Sequence, residues 1–236
     1  MFFRRIEAKA KVSGGARDAS PLVMLDAVSK SFNHAHGRHI VLDRADLVIR
    51  SGEVHCILAA PGAGKTTLLN LMAGAEQPDA GRVVRRGRVS VPLGSAAGVI
   101  PDLTGRENCR HVAAMYGFDR YGFEAYVQWL SALGPLMDLQ LRNCSASQRA
   151  QLVFAMTLGL EADLYLLEDG LPMMRDAAFA ARAGRVLRER LSQAAVLVIS
   201  SQPKALKPFG GRVSVLRAGK FHPGIFPSKA EAPHGR

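Results

Sequence analysis

Two glycines, a lysine and two threonines stand together at Gly62-Ala63-Gly64-Lys65-Thr66-Thr67. Successive backbone N–H groups of such a loop can converge on phosphate oxygens when a strand precedes it and a helix follows. Both flanks are in place. Val54 to Leu58 is a short apolar run of strand type, and Leu68, Leu69, Leu71 and Met72 make a helical face that stops near Gly74. Lys65 is placed to neutralise β and γ phosphates, Thr66 to set its hydroxyl on Mg2+, and Thr67 to lie near the α phosphate. The pattern G-x-x-x-x-G-K-[ST] wants a further glycine six residues before the lysine, where this chain has Ala59. A β-carbon there costs about 1 to 2 kcal/mol if the position needs a positive φ.

The elements that must hold this loop read as a nucleotide-binding α/β order. Leu22 to Val28 and Val41 to Ile49 have strand composition, and Arg82 to Leu93 alternates enough for a hairpin or an edge strand. From Gly105 to Leu160 the pattern is helical, with Val112, Met115, Val127, Leu130 and Leu133 expected inside. Leu164 to Leu167 and Val196 to Ile199 are all-apolar runs, as in parallel strands covered on both faces, and Ala177 to Leu191 reads as their crossover helix.

Length and composition bound the rest. The chain has 236 residues, of which 48% are apolar and 22% charged, so it can bury a large α/β core and is neither disordered nor fibrous. The longest apolar run, Leu152 to Leu160, is well short of the roughly 20 residues that cross a bilayer as a helix, and Met1-Phe-Phe-Arg-Arg does not read as an export signal. Cys56, Cys109 and Cys144 are odd in number and without a C-x-x-C pair, which fits a reducing compartment and points to neither a disulfide frame nor a zinc site. Net charge is +11, which favours an anionic partner without naming it. Arginine and lysine are not interleaved with aromatics, which make only 6% of residues, and this argues against nucleic acid. Residues 1–20 read as a flexible basic arm, either a solvated tail or one drawn to anionic lipid. Residues 222–236 read as a frayed tail.

Around the phosphate loop, from about Leu22 to Phe221, the chain resembles the ATP-binding subunits of ATP-binding-cassette transporters, and more narrowly the branch that exports capsular and related surface polysaccharides. Val89-Ser-Val-Pro-Leu-Gly94, Leu103-Thr-Gly-Arg-Glu-Asn108 and Met115-Tyr-Gly117 carry the narrower resemblance. It implies an α/β P-loop NTPase (RecA-like) core over residues 21–221, with an antiparallel β subdomain and an α-helical subdomain at about 105–160. The implied cofactors are ATP and Mg2+. The implied partners are an integral-membrane permease and a second nucleotide-binding subunit, in a homo- or heterodimer, peripheral on the cytoplasmic face of the plasma membrane. Permease contact would fall between Val99 and Phe123, where Tyr116, Phe118 and Tyr121 stand.

The same resemblance assigns site residues. Phe32, in Lys30-Ser31-Phe32, matches the aromatic that stacks on adenine; it also reads as a strand-end core residue. Cys144-Ser-Ala-Ser-Gln-Arg149 matches the signature stretch that faces the other subunit's nucleotide. Ser145 and Gln148 are kept there, and Ser147 replaces a glycine; Ser145 also reads as a plain helix N-cap. At the next motif two registers are open. Counted forward from Asp163, Glu168 takes the magnesium role and Asp169 that of the water-orienting base; counted back from Asp176, Asp169 holds magnesium and Gly170 stands where the base belongs. Ser201 occupies the place of a histidine that contacts the γ phosphate, with Gln202 beside it as a substitute donor or a polar loop residue. A coupling glutamine is missing near Val99, Ile100 and Pro101. Binding residues are thus intact while hydrolytic ones are altered. The expectation is ATP binding with weak or absent turnover, in a transporter subunit or in an impaired regulatory module paired with an active homologue.

Overall fold

The computed structural model describes residues 21–34, 37–96, 98–169 and 176–225. In chain order the elements are β1 (Pro21–His34), β2 (Gly37–Arg50), β3 (Val54–Ala59), α1 (Lys65–Ala73), β4 (Ala80–Arg85), α2 (Gly105–Tyr116), α3 (Arg120–Ser131), α4 (Ala146–Gly159), β5 (Leu164–Glu168), α5 (Ala177–Gln193), β6 (Ala195–Ser200), α6 (Pro203–Leu206), β7 (Arg212–Arg217) and β8 (Lys220–Gly224). They divide into two compact units: the described residues of Met1–Val89, Asp163–Leu171 and Ala194–Arg236, and those of Ser90–Ala162 and Pro172–Gln193.

The first unit holds both sheets. One is antiparallel with order β2-β1-β4; the other runs β5-β6-β3-β7-β8. In the second sheet β5, β6, β3 and β7 are parallel and β8 turns back antiparallel. Every residue of β6 is buried, which is why its sequence is apolar throughout rather than alternating. The core joins the two sheets through α1, whose Leu68, Leu69, Leu71 and Met72 are fully buried among Val23, Leu25, Leu166 and Leu197. That helix stops at Gly74, whose φ of 85° an L side chain would resist. The Arg85 guanidinium donates to the carbonyls of Met72 and Leu71 just before it, filling acceptors that a helix end leaves open.

A buried imidazole lies under the parallel sheet. His55 is 0% exposed, with Nε2 2.8 Å from Ser214 Oγ and Nδ1 2.9 Å from Arg212 Nη2. Arginine only donates, so Nδ1 accepts and Nε2 carries the hydrogen. Burial, and then the Arg212 charge, lower its pKa from 6.5 to about 3. The unfolded chain therefore takes up a proton below pH 6.5 that the native state refuses until about pH 3. Stability is complete above pH 6.5 and falls with decreasing pH, by about 1.4 kcal/mol per unit from this group. Denaturant midpoints measured from pH 7 to pH 5 will fall more steeply in the native sequence than in His55→Gln.

The second unit is helical, and α2, α3 and α4 each start on a side-chain cap. Thr104 and Glu107 form a reciprocal capping box at α2, Asp119 caps α3 through the N–H of Gly122, and Ser145 and Gln148 form a second box at α4. Glu124, on α3, accepts from Arg106 at 2.9 Å and Arg110 at 2.5 Å, both on α2, and Arg106 also donates to Asp138 at 2.7 Å. Phe154 and Phe179 meet edge to face, joining α4 to α5. Asn108 is fully buried; its amide donates to the carbonyls of Ile100, Leu103 and Thr104, and its oxygen accepts from the N–H of Ile100. Asn108→Ala removes all four of these bonds and leaves the Ile100 N–H without a partner, while the Ile100, Leu103 and Thr104 carbonyls keep backbone donors, so it will destabilise the protein by about 1 to 3 kcal/mol in chemical denaturation.

The structure departs from the sequence reading at several places. Met115 is 57% exposed, whereas Val112, Val127, Leu130 and Leu133 are buried as expected; α2 ends one residue later, so Met115 lies on the outer side of its last turn. Of Arg82 to Leu93 only the part to Arg85 is strand, an edge strand beside β1, and Val89 adds one isolated bridge to Leu164. Strand β8 continues through Gly224, beyond the boundary read at Phe221, because it pairs with β7 as far as Val213. The helical unit starts at Ser90 and takes in α5, a wider span than 105–160. The arm at 1–20 and residues 226–236 of the tail lie outside the described residues.

Candidate nucleotide site

The phosphate loop runs from the end of β3 into α1. Its positive φ angles fall on Gly62 (77°) and Gly64 (83°), while Ala59 is the last residue of strand β3. The strain foreseen for Ala59 does not arise, because the left-handed turns lie elsewhere. Gly64 is the N-cap of α1, with no side-chain cap hydrogen bond and no acidic residue in the first turn. No capping side chain and no acidic residue of the helix's own first turn occupies the amides of Lys65, Thr66 and Thr67, which leaves the positive end of the helix dipole available to an anion. Gly64 also needs its bareness: a β-carbon there would sit 2.2 Å from Val41 Cγ1, on β2. At Gly62 nothing lies within 4 Å, so only its φ demands glycine. Ala63 packs partly against the core, and its N–H donates to Ala60 to close the turn. Lys65 is half-buried.

The end of β5 reaches the same place. Thr66 Oγ1 donates to Glu168, at 2.9 Å from Oε1 and 3.1 Å from Oε2. Glu168 is therefore the carboxylate at the phosphate loop. Asp169 turns the other way. It has a φ of 53°, its N–H donates to the Ile199 carbonyl at 2.8 Å, and its Oδ1 accepts from Ser200 Oγ at 2.9 Å and from the Ser201 N–H at 3.4 Å. Ser200 is fully buried at the end of β6 and accepts from the N–H of Gln202 at 3.0 Å. Of the two open registers, the contact with Thr66 favours the one counted from Asp163. Asp163 is itself tied down by the Arg88 N–H at 2.8 Å. In the other register the base position, Gly170, lies outside the described residues. Asp176 caps the start of α5 through the N–H of Phe179, a structural duty.

The remaining sequence candidates are placed as follows. Phe32 is half-buried against the core of the first unit, and the Lys30 ammonium lies 5.1 Å from its ring centroid. Ser145 and Gln148 cap each other at the start of α4, and Ser147 is exposed in its first turn. Ser201 contributes its backbone N–H to Asp169, and Gln202 is exposed. Sequence reading missed Ser200, which holds Asp169. Its signal was a hydroxyl ending an otherwise apolar strand.

The oxygens of Thr66 and Glu168 are hard donors of the kind Mg2+ takes, with the rest of its shell supplied by phosphate and water. Among the described residues no group of three or more His, Cys, Asp or Glu could hold a metal alone. A metal here would arrive with a phosphate ligand.

A phosphate loop between strand and helix, on a parallel sheet flanked by an antiparallel one, defines a P-loop nucleotide-binding domain. Residues 42–170, more than half of the chain, match the family described as ABC transporter, and the chain belongs to that family. It is 29% identical over 190 residues to the polysialic acid transport ATP-binding protein KpsT of Escherichia coli, covering 80% of this chain and 84% of that protein. It is also 29% identical over 201 residues to the ATP-binding protein BexA of Haemophilus influenzae, covering 85% and 92%. Its fold is similar to that of the ATP-binding cassette MJ0796, solved as a dimer bound to ADP and Pi, with TM-score 0.68, 19% identity and coverage of 84% of this chain and 96% of that one. Among the described residues no helix is long and apolar enough to cross a membrane.

Proposed function

We propose that this chain is the ATP-binding subunit of an ABC transporter that exports capsular or another surface polysaccharide. The observation that carries nucleotide binding is the phosphate loop with Thr66 and Glu168 bonded at its mouth. Its similarity to KpsT and BexA over most of its length supports the polysaccharide cargo. Gly62, Ala63, Gly64, Lys65, Thr66 and Thr67 surround the phosphates, Phe32 meets the base, and Thr66 and Glu168 hold Mg2+, which supplies charge neutralisation when bound. Ser145, Ser147 and Gln148 face the nucleotide of a second nucleotide-binding subunit, which Ser145 and Gln148 can do while capping α4. An integral-membrane permease is the other partner and places the subunit at the cytoplasmic face of the membrane.

In this reading the chain binds ATP well and turns it over slowly. Phosphoryl transfer to water depends on positioning and electrostatics, and Asp169 carries its carboxylate on a short stem bonded to Ser200 and Ser201. A displacement of about 1 Å can lower the rate about 100-fold. Asp169→Glu, which extends the carboxylate by one methylene, will raise turnover about tenfold or more with little change in ATP affinity; phosphate release under saturating Mg-ATP measures this. Isothermal titration of the purified protein with Mg-ATP tests the proposal as a whole, and absence of any binding would refute it.

A further inference from the structure

Strand β1 carries a buried lysine that the proposed phosphate contacts do not use. Lys30 is 8% exposed, and its ammonium donates to Glu76 Oε1 at 2.7 Å and to the Gln77 carbonyl at 2.9 Å, with Asp79 Oδ1 at 3.3 Å. Its pKa is raised, chiefly by the bond to Glu76. Asp79 grips the next residue as well, accepting from the Ser31 N–H at 2.8 Å and from Ser31 Oγ at 2.9 Å. Ser31 Oγ in turn accepts from Arg38 Nε at 2.8 Å. Two consecutive residues of β1 are thus fastened to the segment between α1 and β4.

The fastening falls where the strand itself is irregular. The β1–β2 ladder shifts register between Val28 and Lys30 and again between Lys30 and Ser31. A bulge re-aims the side chains that follow it, so the ladder alone does not fix the direction of the next residue, Phe32. The ammonium over the ring, the packing of the ring against the core and the Asp79 grip on Ser31 do so together. Phe32 pairs with His39, two residues from Val41, against which Gly64 rests. The backbone partner of Phe32 is therefore about 7 Å along β2 from the loop's contact point, a separation that a flat group attached to a phosphate chain can span.

We infer that Lys30 and Asp79 are positioning residues for the nucleobase: the clamp they form presents the Phe32 ring to it. The inference rests on the proposed nucleotide site and adds to it the device that sets the ring. A satisfied, buried polar network holds one geometry, and an aromatic ring held so can stack on a base without reorganising.

Titration with Mg-ATP and with magnesium tripolyphosphate, which has the phosphates and no base, separates this role from a merely structural one. Lys30→Met and the volume-conserving Asp79→Asn will each weaken ATP binding about tenfold and leave tripolyphosphate within twofold. Phe32→Ala will do the same, and Lys30→Met added to Phe32→Ala will bring no further loss. Parallel weakening of both ligands, unchanged ATP affinity, or additive losses in the double variant would each overturn the inference. Wild-type protein that binds ATP no better than tripolyphosphate overturns it alone; wild-type protein that binds neither overturns the nucleotide site as well.

Discussion

Lys65→Ala lowers the affinity for Mg-ATP at least 100-fold while leaving the melting temperature within about 2 °C of the native protein. Among the described residues the Lys65 ammonium has no hydrogen-bond or ion-pair partner, so its removal breaks none of the polar contacts among them. The same ammonium stands at the start of α1, where the proposed phosphate site lies. One unit charge about 4 Å from another contributes about 4 kcal/mol at an effective dielectric of 20, equivalent to roughly three powers of ten in binding; desolvation and the remaining amides reduce the observed loss. Calorimetric titration of the two proteins side by side decides the matter. A variant that binds within tenfold of the native chain would remove Lys65 from the site.

Gly64→Ala strikes both the fold and the loop. Alanine must adopt a φ of 83°, costing about 1 to 2 kcal/mol, and its β-carbon falls 2.2 Å from Val41 Cγ1. Val41 is 2% exposed within the core, so yielding there disturbs close packing and adds about 1 to 3 kcal/mol. Gly62→Ala meets only the first of these costs. Equilibrium denaturation will therefore rank Gly64→Ala well below Gly62→Ala in stability. ATP binding will be undetectable in Gly64→Ala even where the protein remains folded, since the loop must move off Val41. Equal stability of the two variants would contradict the packing of the loop on β2.

What the sequence revealed of this molecule follows the range of its interactions. The phosphate loop and the strands β5 and β6 were legible because short-range composition determines them: glycines where φ is positive, unbroken apolar runs where both faces are covered. The helical character of the stretch from Gly105 to Leu160 and the crossover helix α5 were legible from their spacing. The carboxylate register was not, since Asp163 and Asp176 give two different counts and the contact that favours one of them comes from Thr66, 102 residues away in the chain. Ser200 and Lys30 were passed over for the same reason: their partners lie 31 and 46 residues distant, and nothing local marks a serine or lysine as held. Met115 was misplaced because a helical period says little about which side remains covered in a last turn.

The reciprocal box at the start of α4 leaves position 147 with no architectural duty. Ser145 and Gln148 close the helix between themselves, and Ser147, one of the two residues between them, is exposed. Position 147 is therefore a handle for engineering: a fluorophore, a glycine or a bulky ring can be installed there and its influence on subunit pairing read directly, with folding held constant.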